Sequence, residues 1–388
     1  MSAIRLGIAG MGAAGQGFVT ALRRHAGIEW VALAEPVDEV RRLWEQRSGI
    51  AAYPSFDDML AHPGLDAVYI ATPTQLHSQQ VVRAAQAGKH VLVEKPMAQS
   101  LETARPMVQA AQRAGVILLV GHSHSHDLPI RRMHELIASG ELGTVGMVNT
   151  WCYTDWVHRP RRPEELDAVL GGGVTFRQGA HQFDIVRLLC GGMARSLRAR
   201  TFNWDPARST IGAHSVWIEF ENGAAATAVY NGYGGFSSMD LCEGISEWGV
   251  RQPPQDRNAH SAQSRARSTQ DELRAKRERA ATAIPASASH QPFFGLTLVS
   301  CERGDIRQSP QGLYAYQPGG MREIVLPSDR SPRQLVLDEF CDAVAGRKPA
   351  LHDGAWGLAT LEICVAAIRS SMTGAEVQLH EQVATTRS

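Results

Sequence analysis

Short apolar runs alternate with helical stretches through the first third of the chain. The runs are apolar at nearly every position rather than at every second one. Strands of this kind are typical of a parallel sheet that helices cover on both faces. We therefore expect residues 1–121 to form one doubly wound α/β domain. The predicted strands are residues 4–9, 28–34, 66–71, 90–95 and 116–120.

The rest of the chain, residues 122–388, is expected to form a second domain, since 388 residues suggest two or three domains. Within it, residues 251–290 are polar and low in apolar residues, which predicts a flexible insertion. Its second part has helical composition, with Thr269 and Glu272 spaced as a capping box. Six basic residues between positions 265 and 279 are expected to form a solvated face.

Composition restricts the kind of partner. The 39 basic and 39 acidic residues cancel, so no overall field draws the chain to nucleic acid or to a membrane surface. No run approaches the roughly 18 apolar residues of a membrane span, and the first residues do not resemble a signal peptide. The six cysteines form no C-x-x-C pair, which indicates reduced thiols. We therefore expect a cytoplasmic protein that acts on a small molecule.

The first predicted strand ends in the glycine-rich turn GMGAAG. It lies between a strand and a helix, where glycines allow a tight bend and a close approach of the backbone to a pyrophosphate. The helix N-terminus then points at the phosphates. The turn predicts a dinucleotide site; the other interpretation is a glycine-rich turn without a nucleotide. Its residues are Gly10, Met11, Gly12, Ala13, Ala14 and Gly15.

Glu35 lies at the end of the second predicted strand, 20 residues after Gly15. Its carboxylate can accept hydrogen bonds from a ribose 2′-hydroxyl and would repel a 2′-phosphate. Pro36 follows it, and we expect no arginine beside it to hold such a phosphate. The sequence therefore favours NAD over NADP.

Lys95 directly follows an apolar run, in VLVEKP. A lysine at the carboxyl end of a strand in a doubly wound sheet faces the ligand crevice. Partial burial and a cationic nicotinamide would both lower its pKa toward the working pH, so that it can take a proton from a substrate hydroxyl. The other interpretation is a lysine that ends a strand in water and has no catalytic role.

These motifs resemble the Gfo/Idh/MocA family of dinucleotide-dependent oxidoreductases. The matching pieces are GMGAAG, IATPTQLH, VEKP and GGG followed by GAH, and they span residues 7 to about 190. The resemblance implies a Rossmann domain followed by an α/β domain with a large, open, mostly antiparallel sheet, and a homo-oligomer, either a dimer or a tetramer. It also implies that Thr72, Pro73, His77 and Glu94 lie along the cofactor, with Lys95 beside the nicotinamide and the substrate.

One position departs from the family pattern, which commonly carries Asp-x-Gly-x-His. Arg177 stands in the place of the aspartate, and His181 keeps that of the histidine. We expect the two on one face of a helix, one turn apart, where a guanidinium favours a neutral imidazole that can accept a proton. His181 is therefore a second candidate for the catalytic base. Asp184 either orients the His181 ring or anchors its helix.

Arg177 indicates an anionic substrate. A guanidinium in a pocket with Lys95 and a nicotinamide cation is repelled unless the substrate carries a carboxylate, which it binds by two parallel hydrogen bonds. The segment WVHRPRRPEELD begins at Trp156 and adds Arg159 and Arg161 as expected substrate contacts. A solvated basic loop, neutralised in part by its own glutamates, explains these two arginines equally well.

Three histidines in GHSHSHD, at positions 122, 124 and 126, lie on one side of the chain if it is extended. They could line the substrate pocket, bind a metal together with Asp127, or play a structural part. The chemistry that the family implies needs no metal. We therefore expect no metal, and we expect His124 to contact the substrate.

Three stretches narrow the resemblance to the phthalate dihydrodiol dehydrogenase branch of the family. They are RPRRPEELD, GGGVTFRQGAHQFDIVRLL and HQPFFGLTLVSCERGDIRQSPQGLYAY. This branch implies NAD-dependent oxidation of a cis-4,5-dihydrodiol of phthalate to 4,5-dihydroxyphthalate, and two ring carboxylates would suit the arginines. The alternatives are a sugar, inositol or other polyol dehydrogenase of the same family, and a nucleotide-binding regulator without catalysis.

Overall fold

The computed structural model describes residues 3–257, 268–282 and 288–385, and the chain divides into two compact units. The first unit comprises the chain up to His122, together with Arg279–Ala281 and Arg333–Leu358. The second unit comprises Ser123–Glu278, Thr282–Pro332 and the chain from Ala359 onward. This division corrects the expected one, in which everything after residue 121 forms the second domain.

The first unit contains a six-stranded parallel sheet. Its strands are β1 (Ile4–Ala9), β2 (Ile28–Ala34), β3 (Ala51–Tyr53), β4 (Ala67–Ile70), β5 (His90–Val93) and β6 (Leu118–Val120), in the order β3-β2-β1-β4-β5-β6. The helices between them are α1 (Ala13–Arg23), α2 (Asp38–Ser48), α3 (Phe56–Leu60), α4 (Thr74–Gln86) and α5 (Leu101–Ala114).

The predicted doubly wound parallel sheet is confirmed. The sequence pattern does not predict β3 or α3, because segments of three and five residues carry too little periodicity to be recognised. The strand order reverses at β1, which has β2 on one side and β4 on the other. Such a reversal opens a crevice at the carboxyl ends of the two central strands, where folds of this type bind their ligands.

The second unit is built on a nine-stranded sheet, and the predicted large, mostly antiparallel sheet is confirmed. Its strands are β7 (Val145–Tyr153), β8 (Ala194–Phe202), β9 (Ala213–Phe220), β10 (Ala225–Asn231), β11 (Leu296–Cys301), β12 (Gly304–Ser309), β13 (Gly312–Gln317), β14 (Gly320–Val325) and β15 (Val377–Gln378). They lie in the order β14-β13-β12-β11-β7-β10-β9-β8-β15, and the pairing of β7 with β10 is parallel.

Seven helices follow β6 along the described chain. They are α6 (Leu128–Ala138), α7 (Pro163–Leu166), α8 (Val174–Arg177), α9 (Gly179–Leu189), α10 (Thr269–Thr282), α11 (Pro332–Val344) and α12 (Gly354–Thr373). The helix α12 begins in the first unit and continues in the second. None of the helices in the described part of the chain is long and apolar enough to cross a bilayer.

The core of the first unit explains why a late segment of the chain belongs to it. Leu6 of β1 and Leu92 of β5 are fully buried, as the continuous apolar runs require. The same core takes in Val336 and Phe340 of α11, which are also fully buried. Burying an apolar side chain of this size contributes about 1.5–3 kcal/mol. The association of α11 with the first unit therefore rests on apolar contacts that adjacency in the sequence does not reveal.

In the second unit, α9 packs on β7 and β10, and buried polar groups hold both of its ends. The Nδ1 atom of His214 lies 3.2 Å from Thr175 Oγ1, and its Nε2 atom lies 3.0 Å from Gln182 Oε1. Burial lowers the pKa of His214 to about 3, so this ring is neutral near pH 7. At the other end, the fully buried Arg187 donates to Thr360 Oγ1 at 2.8 Å.

The helix α10 corrects the prediction of a flexible, solvated insertion at residues 251–290. Glu272 is buried, and the side chain of Lys276 is 18% exposed, so the basic residues of α10 are not all on a solvated face. Residues 258–267 and 283–287 lie outside the described residues. The same holds for the side chain of Thr269, on which the predicted capping box depends.

One face of the large sheet exposes apolar side chains. Met147 and Trp151 of β7 and Trp217 of β9 share this face through the strand register, and they are exposed to 51%, 36% and 45%. Exposed apolar side chains that cluster in this way are typical of protein interfaces. The expected homo-oligomer stays a prediction, which light scattering of the purified protein would check.

Candidate active site

The glycine loop connects β1 to α1 at the reversal of strand order. Gly10 has a φ of +90°, and a Cβ atom there would lie 2.8 Å from the Ala71 carbonyl oxygen. A Cβ atom on Gly15 would lie 2.1 Å from the Gly10 carbonyl oxygen. The loop therefore requires glycine at both positions. The helix α1 begins at Ala13, so its first backbone N–H groups face the region where a pyrophosphate binds in this fold.

Glu35 is buried beside this loop. Its Oε2 atom accepts from the Met11 N–H at 2.9 Å, and its Oε1 atom accepts from the Val37 N–H at 3.0 Å. A carboxylate has about four acceptor positions, so it can also accept from a ribose hydroxyl. The expectation that no arginine lies nearby is wrong, because the first turn of α2 brings Arg41 back to Glu35. Arg41 Nη1 donates to the Glu35 carbonyl oxygen at 3.0 Å, and Nη2 donates to the Asp38 carboxylate.

The segment after β4 lies against the glycine loop. The Thr72 N atom would be 3.1 Å from a Cβ on Gly10, and Pro73 precedes the first residue of α4. The Thr72 hydroxyl donates to Gln80 Oε1 at 2.6 Å, and the Thr72 carbonyl oxygen lies 2.9 Å from His77 Nε2. The structure thus brings Thr72, Pro73 and His77 to the crevice. Their contact with the cofactor stays a prediction.

Lys95 lies two residues beyond β5, at the same carboxyl edge of the sheet, and is partly buried. Glu94 before it accepts from the Tyr69 hydroxyl at 2.6 Å and from the Lys95 N–H at 3.2 Å. Burial, and then the charge of Glu94, raise the pKa of Tyr69 well above its ordinary value, so the phenol remains a donor. Glu94 is therefore fixed, and with it the backbone from which the Lys95 side chain extends.

In the second unit, His181 lies in a cluster of aromatic rings. Its ring centroid is 4.5 Å from that of His124 and 5.0 Å from that of Phe294. His124 also stacks on Phe294 at 4.3 Å and lies 5.9 Å from the ring of Trp248. The structure thus brings together the candidate base and the histidine expected to contact the substrate. The sequence does not single out Phe294 or Trp248, although Phe294 lies in the quoted stretch HQPFFG.

The expectation of an extended chain at the three histidines is wrong. Residues His124–His126 form a single 3₁₀ turn that leads into α6. The turn places the fully buried Asp127 with its Oδ2 atom 3.1 Å from His124 Nδ1. Burial raises the pKa of Asp127, while the neighbouring His124 opposes the rise. An ionised Asp127 requires the proton on Nδ1, which leaves Nε2 as the acceptor of a neutral His124 ring.

Arg177 and His181 do not share one helix, contrary to the expectation. The helix α8 ends at Arg177, and α9 begins at Gly179. Gly179 packs closely on the next layer, because a Cβ atom there would lie 3.0 Å from His214 Cε1. Burial lowers the pKa of Arg177, and the charge of Glu165 opposes the fall. The neutral form of His181 stays a prediction, since it was inferred from a single helix.

The segment that begins at Trp156 is buried at its start, through His158, and becomes exposed at Pro163 and Asp167, so it is only in part a solvated loop. Arg159 Nε donates to Asp155 at 2.7 Å, and its Nη1 atom lies 3.7 Å from Glu247. The guanidinium carbon of Arg161 lies 3.9 Å from the centre of the Trp156 ring. Both arginines are thus engaged within the protein. The expected contacts of Trp156, Arg159 and Arg161 with a substrate stay predictions.

Glu165 is surrounded by cations. Lys276 of α10 donates to its Oε2 atom, and Arg161 Nη1 lies 3.8 Å from its Oε1 atom. Burial acts to raise the pKa of Glu165, but Lys276, Arg161 and Arg177 together lower it to about 2. We define this group as the cationic cluster, and its members are Arg161, Arg162, Arg177 and Lys276 with Glu164 and Glu165. A lysine in a polar helix gives no sequence signal of burial, so the sequence did not predict Lys276.

The edge of the first unit fits a dinucleotide. The glycine loop presents backbone without a Cβ at its two tightest positions, and the Glu35 carboxylate is held beside it. This combination suits a pyrophosphate next to a ribose diol. The second unit adds two histidine rings and a cationic cluster, which suit a proton acceptor and an anion site.

The fold and these residues define an NAD-binding oxidoreductase, and the chain belongs to the Gfo/Idh/MocA family. The pattern described as an oxidoreductase family with an NAD-binding Rossmann fold matches residues 4–122. The pattern of the family's C-terminal domain matches residues 130–235. The family, the enzyme class and the cofactor predicted from the sequence are therefore confirmed.

Individual relatives fit this assignment. The chain is 36% identical over 374 residues, covering 94% of both chains, to a 1-carboxy-3-chloro-3,4-dihydroxycyclohexa-1,5-diene dehydrogenase of Comamonas testosteroni. A solved structure from Bordetella bronchiseptica RB50 has 38% identity and a TM-score of 0.92, over 97% of this chain and 100% of that one. The WlbA dehydrogenase of Bordetella pertussis, solved with NADH and UDP-GlcNAcA, has a TM-score of 0.72. At 21% identity over 98% of each chain, it shows the shared fold alone.

Proposed function

We propose that this chain is an NAD-dependent dehydrogenase of carboxylated cis-dihydrodiols. The expected substrate is 4,5-dihydro-4,5-dihydroxyphthalate, and the expected product is 4,5-dihydroxyphthalate. The observation that carries the proposal is the buried cationic cluster around Arg177. Buried cations are costly unless anions compensate them, and a guanidinium matches a carboxylate in geometry. Similarity over 94% of the chain to a dehydrogenase named for a carboxylated dihydroxycyclohexadiene supports this substrate class.

The reaction removes a hydride from a carbon that bears a hydroxyl group, and it removes the proton of that hydroxyl. NAD, when bound, supplies the hydride acceptor. Lys95 or His181 takes the proton, since each side chain in its neutral form carries a nitrogen that accepts one. The ketone that forms tautomerises to an aromatic ring, and the gain of aromaticity makes the hydride loss favourable. The rings of Phe294 and Trp248 suit a flat cyclohexadiene.

An NAD-reduction assay tests the substrate class directly. Purified protein is offered carboxylated cis-dihydrodiols, inositol and aldoses, and NADH formation is followed by absorbance. We expect NADH from the carboxylated dihydrodiol. NADH from inositol or an aldose, with none from the dihydrodiols, would instead support the polyol alternative. NAD binding without turnover of any of these substrates would support the regulator alternative.

The charge of the substrate is tested at Arg177. Arg177→Ala should raise the Michaelis constant for a dicarboxylate dihydrodiol at least tenfold, because losing hydrogen bonds to a charged group costs roughly 1.5–3 kcal/mol. It should have little effect on an uncharged diol. Arg177→Asp places a carboxylate against an anionic substrate and should nearly abolish its oxidation, while NAD binding is unchanged.

Arg195→Ala is the control for these variants, because Arg195 is an exposed arginine that pairs with Glu219 on the neighbouring strand. It should leave both substrates unaffected. Equal losses on charged and uncharged diols in Arg177→Ala would mean that Arg177 is structural, and the dicarboxylate substrate would then be wrong.

A further inference from the structure

The helix α10 attaches to the second unit through one of its faces. Glu272 and Lys276 are four residues apart and therefore neighbours on that face. Glu272 accepts from the Arg161 N–H through Oε2 at 2.7 Å and pairs with Arg208 through Oε1. Lys276 pairs with Glu165. Both contacts of α10 thus reach the segment that carries the arginines of the cationic cluster.

Positive charge exceeds negative charge in this cluster. Glu272 and Arg208 form a pair of their own beside this cluster. Among the other described charges, Arg161, Arg162, Arg177 and Lys276 act on Glu164 and Glu165. Four cations thus share two carboxylates. The side chains of Arg161 and Lys276 are only 10% and 18% exposed, so water compensates this excess poorly. An anionic ligand with two charges would balance it.

We infer that Lys276 is a substrate-binding residue that holds a second carboxylate of the substrate, beside the carboxylate bound by Arg177. The inference rests on the proposed function and narrows it to a dicarboxylate. The name of the Comamonas testosteroni relative contains one carboxyl group. Whether the substrate of this chain carries one carboxylate or two is therefore the question that variants of Lys276 answer. In this arrangement Glu165 holds the Lys276 ammonium in place, and the same ammonium also donates to the incoming carboxylate of the substrate.

The protonation of Lys276 makes this site sensitive to pH. Burial lowers the pKa of Lys276 to about 8, although the charge of Glu165 opposes the fall. The charged groups that face Lys276 are Glu165 of α7 and Arg161 and Arg162 before it. The pKa of Glu165 is about 2, so this carboxylate keeps its charge while Lys276 titrates. Because the ammonium form binds an anion, affinity for a dicarboxylate should fall as the pH rises through about 8.

Calorimetric titration of phthalate tests the inference without turnover. Phthalate is already aromatic, so it is not oxidised, yet it carries both carboxylates. The titration uses the full chain with saturating NAD. Lys276→Met should weaken phthalate binding at least about tenfold, as expected for lost charge-assisted hydrogen bonds, and Lys276→Arg should retain most of the affinity. Arg274→Met removes an exposed cation of the same helix, which pairs with Asp271, and should leave binding unchanged.

The contrast between Lys276→Met and Arg274→Met separates the loss of a ligand contact from a general loss of positive charge on α10. Equal weakening by both substitutions would overturn the inference, and so would unchanged binding in Lys276→Met. Benzoate, with one carboxylate, should be affected less than phthalate by Lys276→Met. Equal losses for benzoate and phthalate would also overturn it. Thermal melting of each variant, together with the retained affinity of Lys276→Arg, excludes misfolding as the cause.

Two further results distinguish this inference from the proposed function. Oxidation of the dicarboxylate dihydrodiol with an unchanged Michaelis constant in Lys276→Met would overturn the role of Lys276 and leave the proposed function standing. Phthalate binding that depends on Lys276, without oxidation of the dihydrodiol, would support the anion site and overturn the proposed reaction. In the wild type the phthalate affinity should fall above pH 8, and in Lys276→Arg it should not.

Discussion

The two units of this protein form their candidate ligand sites in different ways. In the first unit the candidate site is formed mainly by the backbone: Gly10 and Gly15 shape the loop, and the Met11 N–H of that loop donates to the Glu35 carboxylate. In the second unit the candidate site consists of side chains from distant segments, among them His124 and Phe294. A site made of backbone is encoded in a few consecutive residues. A site made of side chains depends on how the whole unit folds.

The two candidate sites also differ in the sign of the charge that they bury. The charged group beside the cofactor loop is the carboxylate of Glu35, which suits the hydroxyls of a ribose. The group around Glu165 is cationic, with Arg177 and Lys276 acting on a single carboxylate. This difference is consistent with a first unit that binds a nucleotide through its ribose and phosphates and a second unit that binds an anionic substrate. The following predictions test that division.

The largest expected effect is at Lys95, where the comparison of the two units predicts slower turnover with unchanged binding of NAD. Lys95→Ala should lower turnover by about 10²–10⁴-fold, the usual contribution of a positioned proton acceptor. The affinity for NAD should change little, because the backbone loop binds it. Steady-state kinetics and a fluorescence titration of NAD measure the two quantities.

Lys89→Ala is the matched control for Lys95→Ala. Lys89 precedes β5 at the opposite end of the strand, and its Nζ atom donates to the Leu65 carbonyl oxygen at 2.7 Å. Its removal should leave turnover unchanged. Normal turnover of Lys95→Ala would mean that Lys95 only ends a strand, and His181→Ala would then be the variant expected to abolish proton transfer.

The second-largest expected effect is a loss of folding stability at low pH, which His214 in the second unit causes. The pKa of His214 is about 3 in the folded protein and about 6.5 in an unfolded chain. The unfolded chain therefore takes up the proton first as the pH falls below 6.5, and stability decreases. Between pH 7 and pH 5 this loss should be about 2 kcal/mol, roughly 25-fold in the unfolding constant.

His214→Gln keeps a donor and an acceptor for Thr175 and Gln182 but does not titrate. Its free energy of unfolding should fall about 2 kcal/mol less than that of the wild type between pH 7 and pH 5. Urea unfolding at both pH values measures the difference. The same pH dependence in both proteins would show that another group causes the acid sensitivity.

The smallest expected effect is the change of cofactor preference at Glu35. The wild type should bind NAD better than NADP, and Glu35→Ala should narrow the gap by about tenfold, since the lost hydrogen bonds involve a charged acceptor. Arg41 lies beside this position and pairs with Asp38. Asp38→Ala in the Glu35→Ala background should therefore improve NADP binding further. Titration of both cofactors checks this, and a wild-type preference for NADP would contradict the role of Glu35.

The corrections arise where the path of the backbone, and not the residue pattern, decides which side chains meet. The parallel sheet and its glycine loop were predictable, because the apolar runs and GMGAAG are local patterns. Arg41 was missed because the first turn of α2 brings it back over Glu35. Arg177 and His181 have the spacing of one helical turn, but the chain leaves helical geometry at Gln178, which has a φ of −118°, so the two residues lie on separate helices.

The amino-acid sequence by itself determined the family, the NAD-binding fold and the place of Lys95 at the end of β5, because each depends on consecutive residues with a defined period or turn. Only the tertiary structure revealed that Arg161 stacks on Trp156 and that Lys276 reaches Glu165 from a helix more than 100 positions away. Burial and charge compensation are properties of the surroundings of a side chain. The sequence reports the identity of each charged residue, and the fold decides which charges become neighbours.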